Sequence, residues 1–498
     1  MSRKAIAFIS VMLIALLPGF VFASGGQEGG GEAATGDASM EETGPQYGGT
    51  FTFFSPVLAT DPPSPDIKDG NFHQTQWLSP IQEQLLVGNF EEYGPRGNGE
   101  YDFQIFSYVP DKYITGWLLE SWEVQADRII LNVRQGVEWA AANVDYMENR
   151  EVVAEDIVAK LLYFKDSPAF QVLRDRTGEI YATSKYSLTI ELTSFDALVL
   201  YRIGYEDRAL YSPPEMEEAG PDVWANQVGS GPFILKEFDV GSHMTYERNP
   251  NWWWQAEIDG EMYDVPFVDE LRQPIIPDVS TQIAALRTGQ IDMLGGEAGV
   301  PPEYWESLAA SAPELLSKQT PTGAGQVYDF NTQNEPVDDA DVRRALMVGT
   351  NLKAFADLQG VGELPIHWFP VPPGTPGYYI PMEELPEDIQ ILYDYDPARA
   401  KEMLADAGYP DGLSLELNTN NQPKAQDRAA LLKDMWEDIG VDVTINVLEQ
   451  VDFTARNRAG EYEHVTSDGP KVGNPLLVPY NFGRTGNFFN VSNYSDPE

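Results

Sequence analysis

The helix and strand that decide the fold lie in residues 424–447, KAQDRAALLKDMWEDIGVDVTINV. The first part places apolar residues on one face of a helix, and these are Ala425, Ala429, Leu432, Trp436 and Ile439. After the glycine, apolar residues alternate with polar ones as in a half-buried strand, and these are Val441, Val443, Ile445 and Val447. A helix, a tight turn and a strand predict the αβ unit of a layered sheet protein.

Neighbouring segments carry the same kind of signal. Asp396 and Pro397 predict the start of a helix, because aspartate is a good N-cap and proline suits the first helical position. Gly408 predicts its end. Asp338 or Asp339 can cap an earlier helix, and alternating or helical patterns recur towards the N-terminus at 47–54, 129–133, 154–162 and 188–192. The sequence therefore predicts an α/β protein.

The first 23 residues predict a signal peptide. Arg3 and Lys4 precede a short apolar run, and small residues end it at Ala23. The run is shorter than the about 20 apolar residues that a membrane anchor needs, which makes an anchor the weaker interpretation. Residues 24–46 lack an apolar period and predict a disordered linker. The chain has no cysteine, so neither a disulfide nor a lipid anchor on an N-terminal cysteine is expected.

The charge of the chain excludes one class of partner. The sequence has 78 acidic residues against 32 lysines and arginines, a formal net charge of -46. Such a surface repels nucleic acids and anionic lipids, which bind proteins through lysine and arginine. The acidity does not by itself make the ligand cationic, since a solvated acidic surface explains it equally well.

Short segments in a fixed order carry a family resemblance. They are GGTF (48–51), LLESWEV (118–124), LNVRQGVEW (131–139), VAEDIV (153–158), GSGPF (229–233), RNPNWW (248–253), ALRTGQID (285–292), DVRRAL (341–346) and YDPARAKEMLADAGYPDG (395–412). Together they resemble the large extracellular solute-binding proteins of peptide and nickel import systems. The resemblance covers residues 48–447. Two departures are an insertion at 140–151 and an end at 494–498, where family members continue, so the chain is expected to be C-terminally truncated.

The resemblance implies a fold and a division into domains. It implies a type II periplasmic-binding-protein-like α/β fold, in which two lobes joined by a hinge carry an extra domain inserted in the first lobe. The expected limits are 47–66 and 186–275 for lobe I, 67–185 for the inserted domain and 276–498 for lobe II, which would lack its C-terminal return to lobe I. Pro274 and Pro277 fit a hinge crossing.

The resemblance also implies a function. We expect the substrate-binding component of an ABC importer, extracytoplasmic and monomeric, which captures a small solute between its lobes and delivers it to the membrane permease. No cofactor, metal or catalytic step is expected. An oligopeptide is the favoured ligand, and an oligosaccharide stays open because the chain has 11 Trp and 24 Tyr.

Several residues are candidates to line the cleft. In peptide-binding members an acid of the second lobe pairs with the free amine of the ligand, and the resemblance implies Asp468 in that role; an Asx turn before Gly469 is the alternative. Glu83 lies where the family has a segment that lines the cleft. Aromatic and amide side chains on irregular stretches complete the set, namely Trp77, Trp368, Phe369, Tyr480, Phe482, Asn487 and Phe488.

Two other classes of protein fit the sequence less well. A secreted hydrolase lacks support, because the chain has no cysteine nucleophile, GxSxG elbow or HExxH helix. The histidines His73, His243, His367 and His464 are far apart and show no metal-ligand spacing. A surface adhesion protein predicts repeats or a mainly β pattern, and the sequence has neither.

Overall fold

The fold is described from a computed structural model. The structure describes residues 44–54, 64–69, 73–95, 97–103, 108–196, 198–206, 209–295, 299–318, 324–359, 371, 373, 375, 377–472, 475, 477–487 and 489–495. The predicted signal peptide and almost all of the predicted linker lie outside these residues.

The strands belong to three larger sheets and several two-stranded pairs. In chain order they are β1 (Thr50–Phe54), β2 (Leu86–Gly88), β3 (Ile114–Gly116), β4 (Leu119–Val124), β5 (Arg128–Val133), β6 (Glu138–Trp139), β7 (Arg150–Glu151), β8 (Thr177–Ser184), β9 (Ser187–Leu192), β10 (Phe233–Asp239), β11 (His243–Arg248), β12 (Gln255–Ile258), β13 (Glu261–Asp264), β14 (Glu270–Pro274), β15 (Met293–Leu294), β16 (Ala324–Phe330), β17 (Leu413–Asn420), β18 (Val441–Leu448) and β19 (Val465–Val472).

The helices cover these sheets and connect their strands. They are α1 (His73–Leu78), α2 (Phe90–Tyr93), α3 (Ala154–Lys165), α4 (Gln171–Arg176), α5 (Leu198–Gly204), α6 (Pro214–Ala219), α7 (Val279–Arg287), α8 (Trp305–Ser311), α9 (Ala340–Val348), α10 (Leu352–Gln359), α11 (Glu387–Gln390), α12 (Pro397–Asp406), α13 (Pro423–Asp438), α14 (Gln450–Ala459) and α15 (Leu477–Phe482).

The first sheet defines the first lobe and has the order β10-β11-β14-β1-β15. Strand β1 runs parallel to β14 and to β15, and β14 pairs antiparallel with β11. A core of large side chains packs on this sheet, and it includes Trp77, Leu78, Phe233, Tyr246 and Leu271. Because β15 and helix α7 join this lobe, the second lobe begins later than residue 276, the predicted limit.

The second sheet belongs to what we call the inserted unit and has the antiparallel order β4-β5-β9-β8. Helices α3, α4 and α5 bury their apolar faces in its core, where Leu131, Trp139, Leu161 and Ile190 have almost no exposed surface. The predicted limit at 185 falls in the turn between β8 and β9, and both strands pair in this sheet. The inserted unit therefore extends beyond that limit.

The third sheet defines the second lobe and has the order β16-β19-β17-β18. Strand β17 is parallel to β18 and β19, while β16 is antiparallel to β19. Helices α9, α12 and α13 pack on one face, so the αβ unit predicted from residues 424–447 is confirmed. Gly440 makes the tight turn with φ +90°.

The predicted helix signals in this lobe are correct in detail. The side chain of Asp396 accepts a hydrogen bond from the Arg399 amide and begins α12, and Asp339 caps α9 through the Asp341 amide. A cap of this kind contributes about 1 kcal/mol to stability. Gly408 follows α12 with φ +100°, a backbone region that glycine adopts at little cost. The α/β fold class is therefore confirmed.

Candidate ligand-binding site

The predicted site residues fall into three groups in the structure. Trp368, Phe369 and Phe488 lie outside the described residues. Asp468 and Tyr480 are described through their backbone only. The side chains of Glu83, Trp77, Phe482 and Asn487 are described fully, and each occupies a different environment.

Glu83 lies at a junction between the first lobe and the inserted unit. Its Oε1 accepts hydrogen bonds from Nε1 of Trp117 at 2.7 Å and of Trp252 at 2.9 Å. Its Oε2 accepts one from Oγ of Ser230 at 2.7 Å and one from Nε1 of Trp253 at 3.4 Å. Its backbone carbonyl also accepts a bond from the amide of Tyr211. One carboxylate thus joins its own segment to three distant segments of the chain, at 117, 230 and 252–253.

The electrostatics of this cluster explain its arrangement. Burial raises the pKa of Glu83, and the hydrogen bonds from Ser230 and the three indoles oppose that rise. An indole N–H can only donate, and an ionised carboxylate offers about four lone-pair positions. All four are used here, so the geometry suits the anion. No acceptor position remains for a ligand, and the prediction that Glu83 contacts the ligand is wrong for this arrangement.

Trp77 belongs to the core of the first lobe. Its side chain is 0% exposed, and it packs with Leu78, Ile81 and Phe233. A side chain without exposed surface cannot meet a ligand in the cleft, so the prediction for Trp77 is corrected too. The polar stretch around it suggested a loop, whereas residues 73–78 form helix α1.

Asp468 lies on strand β19 rather than in a loop. It is the backbone partner of Val327 on β16, next to a register shift between Gln326 and Val327. The Asx-turn alternative is therefore wrong, since Gly469 and Pro470 continue the strand.

Phe482 and Asn487 belong to a segment that is rooted in the second lobe. The Asn487 Oδ1 accepts a hydrogen bond from the Phe489 amide at 2.9 Å, so this buried amide shapes the loop. Phe482 borders a cavity of about 230 Å³, which is lined by Tyr328, Asp329, Phe330, Thr332, Arg343, Ser492 and Tyr494 as well.

A larger cavity of about 790 Å³ opens on the polar face of the third sheet. Its walls include Glu416, Asn418 and Asn446 on neighbouring strands and Arg456 on α14. The Asn446 Nδ2 donates to Glu416 Oε2 at 3.0 Å and to Asn418 Oδ1 at 3.2 Å. All residues that line it belong to the second lobe, so this cavity is not the cleft between the lobes.

Direct contacts join the second lobe to the inserted unit. The Nη2 of Arg202 donates to Oδ1 of Asn481 at 2.5 Å, and Nη2 of Arg484 lies 2.9 Å from Oδ2 of Asp175. The rings of Tyr108 and Tyr378 meet edge to face at 5.7 Å. Sequence reasoning missed these residues. The one sequence feature that could have indicated this contact is Arg202, a charged residue within the apolar run of α5.

Neither a metal site nor a membrane span emerges from the described part of the chain. Within it, no group of three or more histidine, aspartate or glutamate side chains could hold a metal ion. Among the same residues, no helix combines the length and apolar character needed to cross a bilayer.

Comparison with known proteins decides the family. The profile described as "Bacterial extracellular solute-binding proteins, family 5 Middle" matches residues 113–490. The chain belongs to this family. The resemblance seen in the short segments is thereby confirmed, and so is the predicted role of a solute-binding component of an ABC importer. The family acts outside the cytoplasm and consists of binding proteins rather than enzymes.

Curated relatives of this solute-binding protein are about 25% identical to it over the aligned residues. Heme-binding protein A of Haemophilus influenzae is 25% identical over 418 residues, which cover 76% of this chain and 71% of that protein. The dipeptide-binding protein of Escherichia coli is 25% identical over 377 residues, which cover 70% of this chain and 66% of that protein.

Solved structures confirm the type II fold. The periplasmic binding protein DppA of Helicobacter pylori, in complex with the peptide STSA, superposes with a TM-score of 0.68 at 19% identity, over 91% of this chain and 85% of that one. The murein tripeptide-binding protein MppA of Escherichia coli gives 0.66 at 19% identity, over 90% and 84%.

Proposed function

We propose that this solute-binding protein captures an oligopeptide in the cleft between its lobes and hands it to the permease of an ABC importer without changing it chemically. The observation that carries the proposal is the match of residues 113–490 to a family in which several relatives are named for di- or tripeptides. An oligosaccharide is not favoured, since the relatives and structures described above are named for heme or for peptides.

The described residues add support for a peptide. The segment after β19 places the aromatic ring of Phe482 directly after Asn481, at the contact between the lobes. An aromatic side chain of this kind can pack against the apolar side chains of a peptide. Asp468, on the strand that leads into this segment, would pair with the free amine of the peptide.

Binding measurements test the ligand class. We expect isothermal titration calorimetry to show stoichiometric binding of di-, tri- or tetrapeptides, with weaker binding of N-acetylated peptides because their amine is blocked. Binding of cello-oligosaccharides or of hemin, with none of any peptide, would overturn the proposal. Release of a cleaved product during prolonged incubation would contradict the absence of chemistry.

The change Asp468→Asn tests the proposed amine contact. Removal of the charge should weaken the binding of free peptides at least tenfold and leave N-acetylated peptides unaffected, because a charge-assisted hydrogen bond contributes about 1.5–3 kcal/mol. The matched control is Asp442→Asn on β18 of the same sheet, an exposed carboxyl that should not change affinity. Equal losses for free and acetylated peptides would rule out this role for Asp468.

Export completes the proposal. Residues 1–23 would direct the chain across the cytoplasmic membrane, and the exported protein would begin at Ser24. N-terminal sequencing of protein recovered from a secreting host checks this cleavage site, and an uncleaved N-terminus would contradict it.

A further inference from the structure

The segment 477–495, which we call the clasp segment, is rooted firmly in the second lobe. The carbonyl of Ser492 accepts hydrogen bonds from the backbone amide of Thr332 at 3.0 Å and from its hydroxyl at 3.1 Å. The Ser492 hydroxyl donates to Asp329 at 2.5 Å, and the Tyr462 hydroxyl donates to the carbonyl of Val491 at 2.8 Å. The root of the clasp segment must therefore move with the third sheet.

The other end of the clasp segment rests on the inserted unit. Asn481, in helix α15, accepts a hydrogen bond from Arg202, whose side chain is 2% exposed. Arg202 also forms an ion pair with Glu206, four residues later in the chain. Because both residues lie on the inserted-unit side, this pair persists when the lobes move. The bond to Asn481 is the part of this arrangement that crosses between the lobes.

A second contact crosses at the same junction. Arg484, three residues after Asn481, pairs with Asp175 at the C-terminal end of α4. Both side chains are partly exposed, 41% and 29%, so water screens this pair more than it screens Arg202. The two contacts bring one continuous stretch of the second lobe against helices α4 and α5.

We propose that the clasp segment positions the lobes: Arg202–Asn481 and Arg484–Asp175 stabilise the closed form directly, independently of the bound solute. Opening of the lobes separates each pair, and water then solvates the exposed groups. The clasp thereby sets the fraction of ligand-free protein that is closed. This inference rests on the lobe closure of the proposed function and not on the peptide as ligand.

The clasp has a defined consequence for affinity. A ligand held by the closed form binds with an apparent affinity that scales with the population of that form. Weakening the clasp should therefore reduce the affinity for every ligand by one common factor, mainly through faster dissociation. The ranking of ligands should stay unchanged, because the clasp residues act through lobe closure and not through contact with the solute.

Distance measurements on the ligand-free protein provide the direct test. The chain has no cysteine, so the changes Glu155→Cys on α3 and Lys401→Cys on α12 introduce two label sites, one on each side of the junction, for single-molecule fluorescence transfer. We expect Asn481→Ala and Arg484→Gln to shift the ligand-free distribution towards longer distances. A saturating concentration of a peptide that binds the wild type should return both variants to the interlobe distance of the closed wild type.

Dissociation kinetics provide the second readout. Asn481→Ala should raise the dissociation rate about tenfold, because a buried guanidinium loses an acceptor. Arg484→Gln should raise it about threefold, as suits an exposed ion pair. In a double-mutant cycle, Asp175→Asn should add little to Arg484→Gln, since the two residues share one interaction.

A matched control separates the clasp from general effects of charge. Arg456 and Asp452 form an exposed ion pair at 3.0 Å within α14, entirely inside the second lobe. Arg456→Gln should leave the interlobe distances and the dissociation rate unchanged. The proposal is overturned if the clasp variants match the wild type in both measurements, or if Arg456→Gln changes them equally.

The outcomes also distinguish the clasp from the ligand assignment. If the wild type binds none of the peptides, the proposed function fails, while the ligand-free distances still decide whether the clasp exists. If peptides bind and the variants neither open nor release them faster, the clasp fails and the proposed function stands.

Discussion

Two buried polar clusters of this protein are built in opposite ways. Glu83 is buried with four side-chain donors, and all of them belong to the first lobe or to the inserted unit attached to it. Arg202 is equally buried, yet its acceptors divide between Glu206 on its own side and Asn481 on the second lobe. The first cluster stays whole when the lobes move, and the second does not.

The difference separates stability from conformational control. A buried ion stabilises a fold only while its partners remain in place, and loss of one partner exposes the full cost of desolvation. When the partners of a buried ion move together, the ion stays paired in every arrangement of the lobes, and it affects only the stability of the fold. When one partner lies across the hinge, the ion loses that partner on opening, and the pair therefore favours the closed arrangement.

The largest expected effect comes from Glu83→Ala. It leaves three indole N–H groups and one hydroxyl without their shared acceptor, and we expect the free energy of unfolding to fall by about 4 kcal/mol. Urea denaturation followed by tryptophan fluorescence measures this change. The control Glu120→Ala, an exposed residue of β4, should cost less than about 0.5 kcal/mol. If Glu83→Ala changed the interlobe distance without lowering the free energy of unfolding, the Glu83 cluster would not differ from the Arg202 cluster in the way described.

A second cluster within the inserted unit should behave like that of Glu83. Lys160 is 3% exposed and pairs with Glu217. Lys160→Met leaves that carboxylate without its cation, and we expect a loss of about 3 kcal/mol, again from urea denaturation. Lys353→Met, in an exposed pair with Asp357 on α10, is the control and should be nearly neutral. Faster ligand release from Lys160→Met at unchanged stability would contradict the comparison.

Acidic pH tests the same comparison at Glu151, a partly exposed carboxyl of the inserted unit. Hydrogen bonds from Lys185, the Gly136 amide and Tyr186 lower the pKa of Glu151 to about 2. A carboxyl with a depressed folded pKa stabilises the fold above its unfolded pKa, about 4.5, and this stabilisation is lost as the pH falls towards 2.

The corresponding variant is Glu151→Gln. Its melting temperature should lie slightly below that of the wild type at pH 6, and the gap should close as the pH drops below 4. Differential scanning calorimetry between pH 6 and pH 3 measures the gap. Glu179→Gln on β8 should show none, and a gap that widens in acid would reverse the assigned sign.

Salt should produce the smallest effect. The exposed pair Arg484–Asp175 is screened at high ionic strength, whereas the buried bond of Asn481 is screened much less. The about threefold faster release from Arg484→Gln should therefore approach the wild-type rate between 0.05 and 0.5 M salt. In the same stopped-flow series, the ratio of the Asn481→Ala dissociation rate to the wild-type rate should stay constant. If both variants lost their faster release equally with salt, the two contacts would be equally exposed to solvent.

Local patterns predicted much of the architecture and little of the site. Val441 and Val443 alternate in β18 as predicted, and Asp396 caps α12, because both features depend on neighbours a few residues away. Glu83 was expected in the cleft from the family resemblance and Trp77 from its polar, irregular surroundings, yet both are buried. A polar segment needs hydrogen-bond partners, and these can be buried indole or hydroxyl groups as well as water.

The sequence by itself determined the α/β class and the family, since periodic apolar faces and ordered short segments are local properties of the chain. Only the tertiary structure decided the partners of the buried charges. Glu83 meets donors 34, 147, 169 and 170 residues away, and Arg202 meets Asn481 across 279 residues. The local pattern indicates which apolar faces will be buried, whereas the burial of Glu83 and Arg202 and the choice of their partners depend on how distant segments pack.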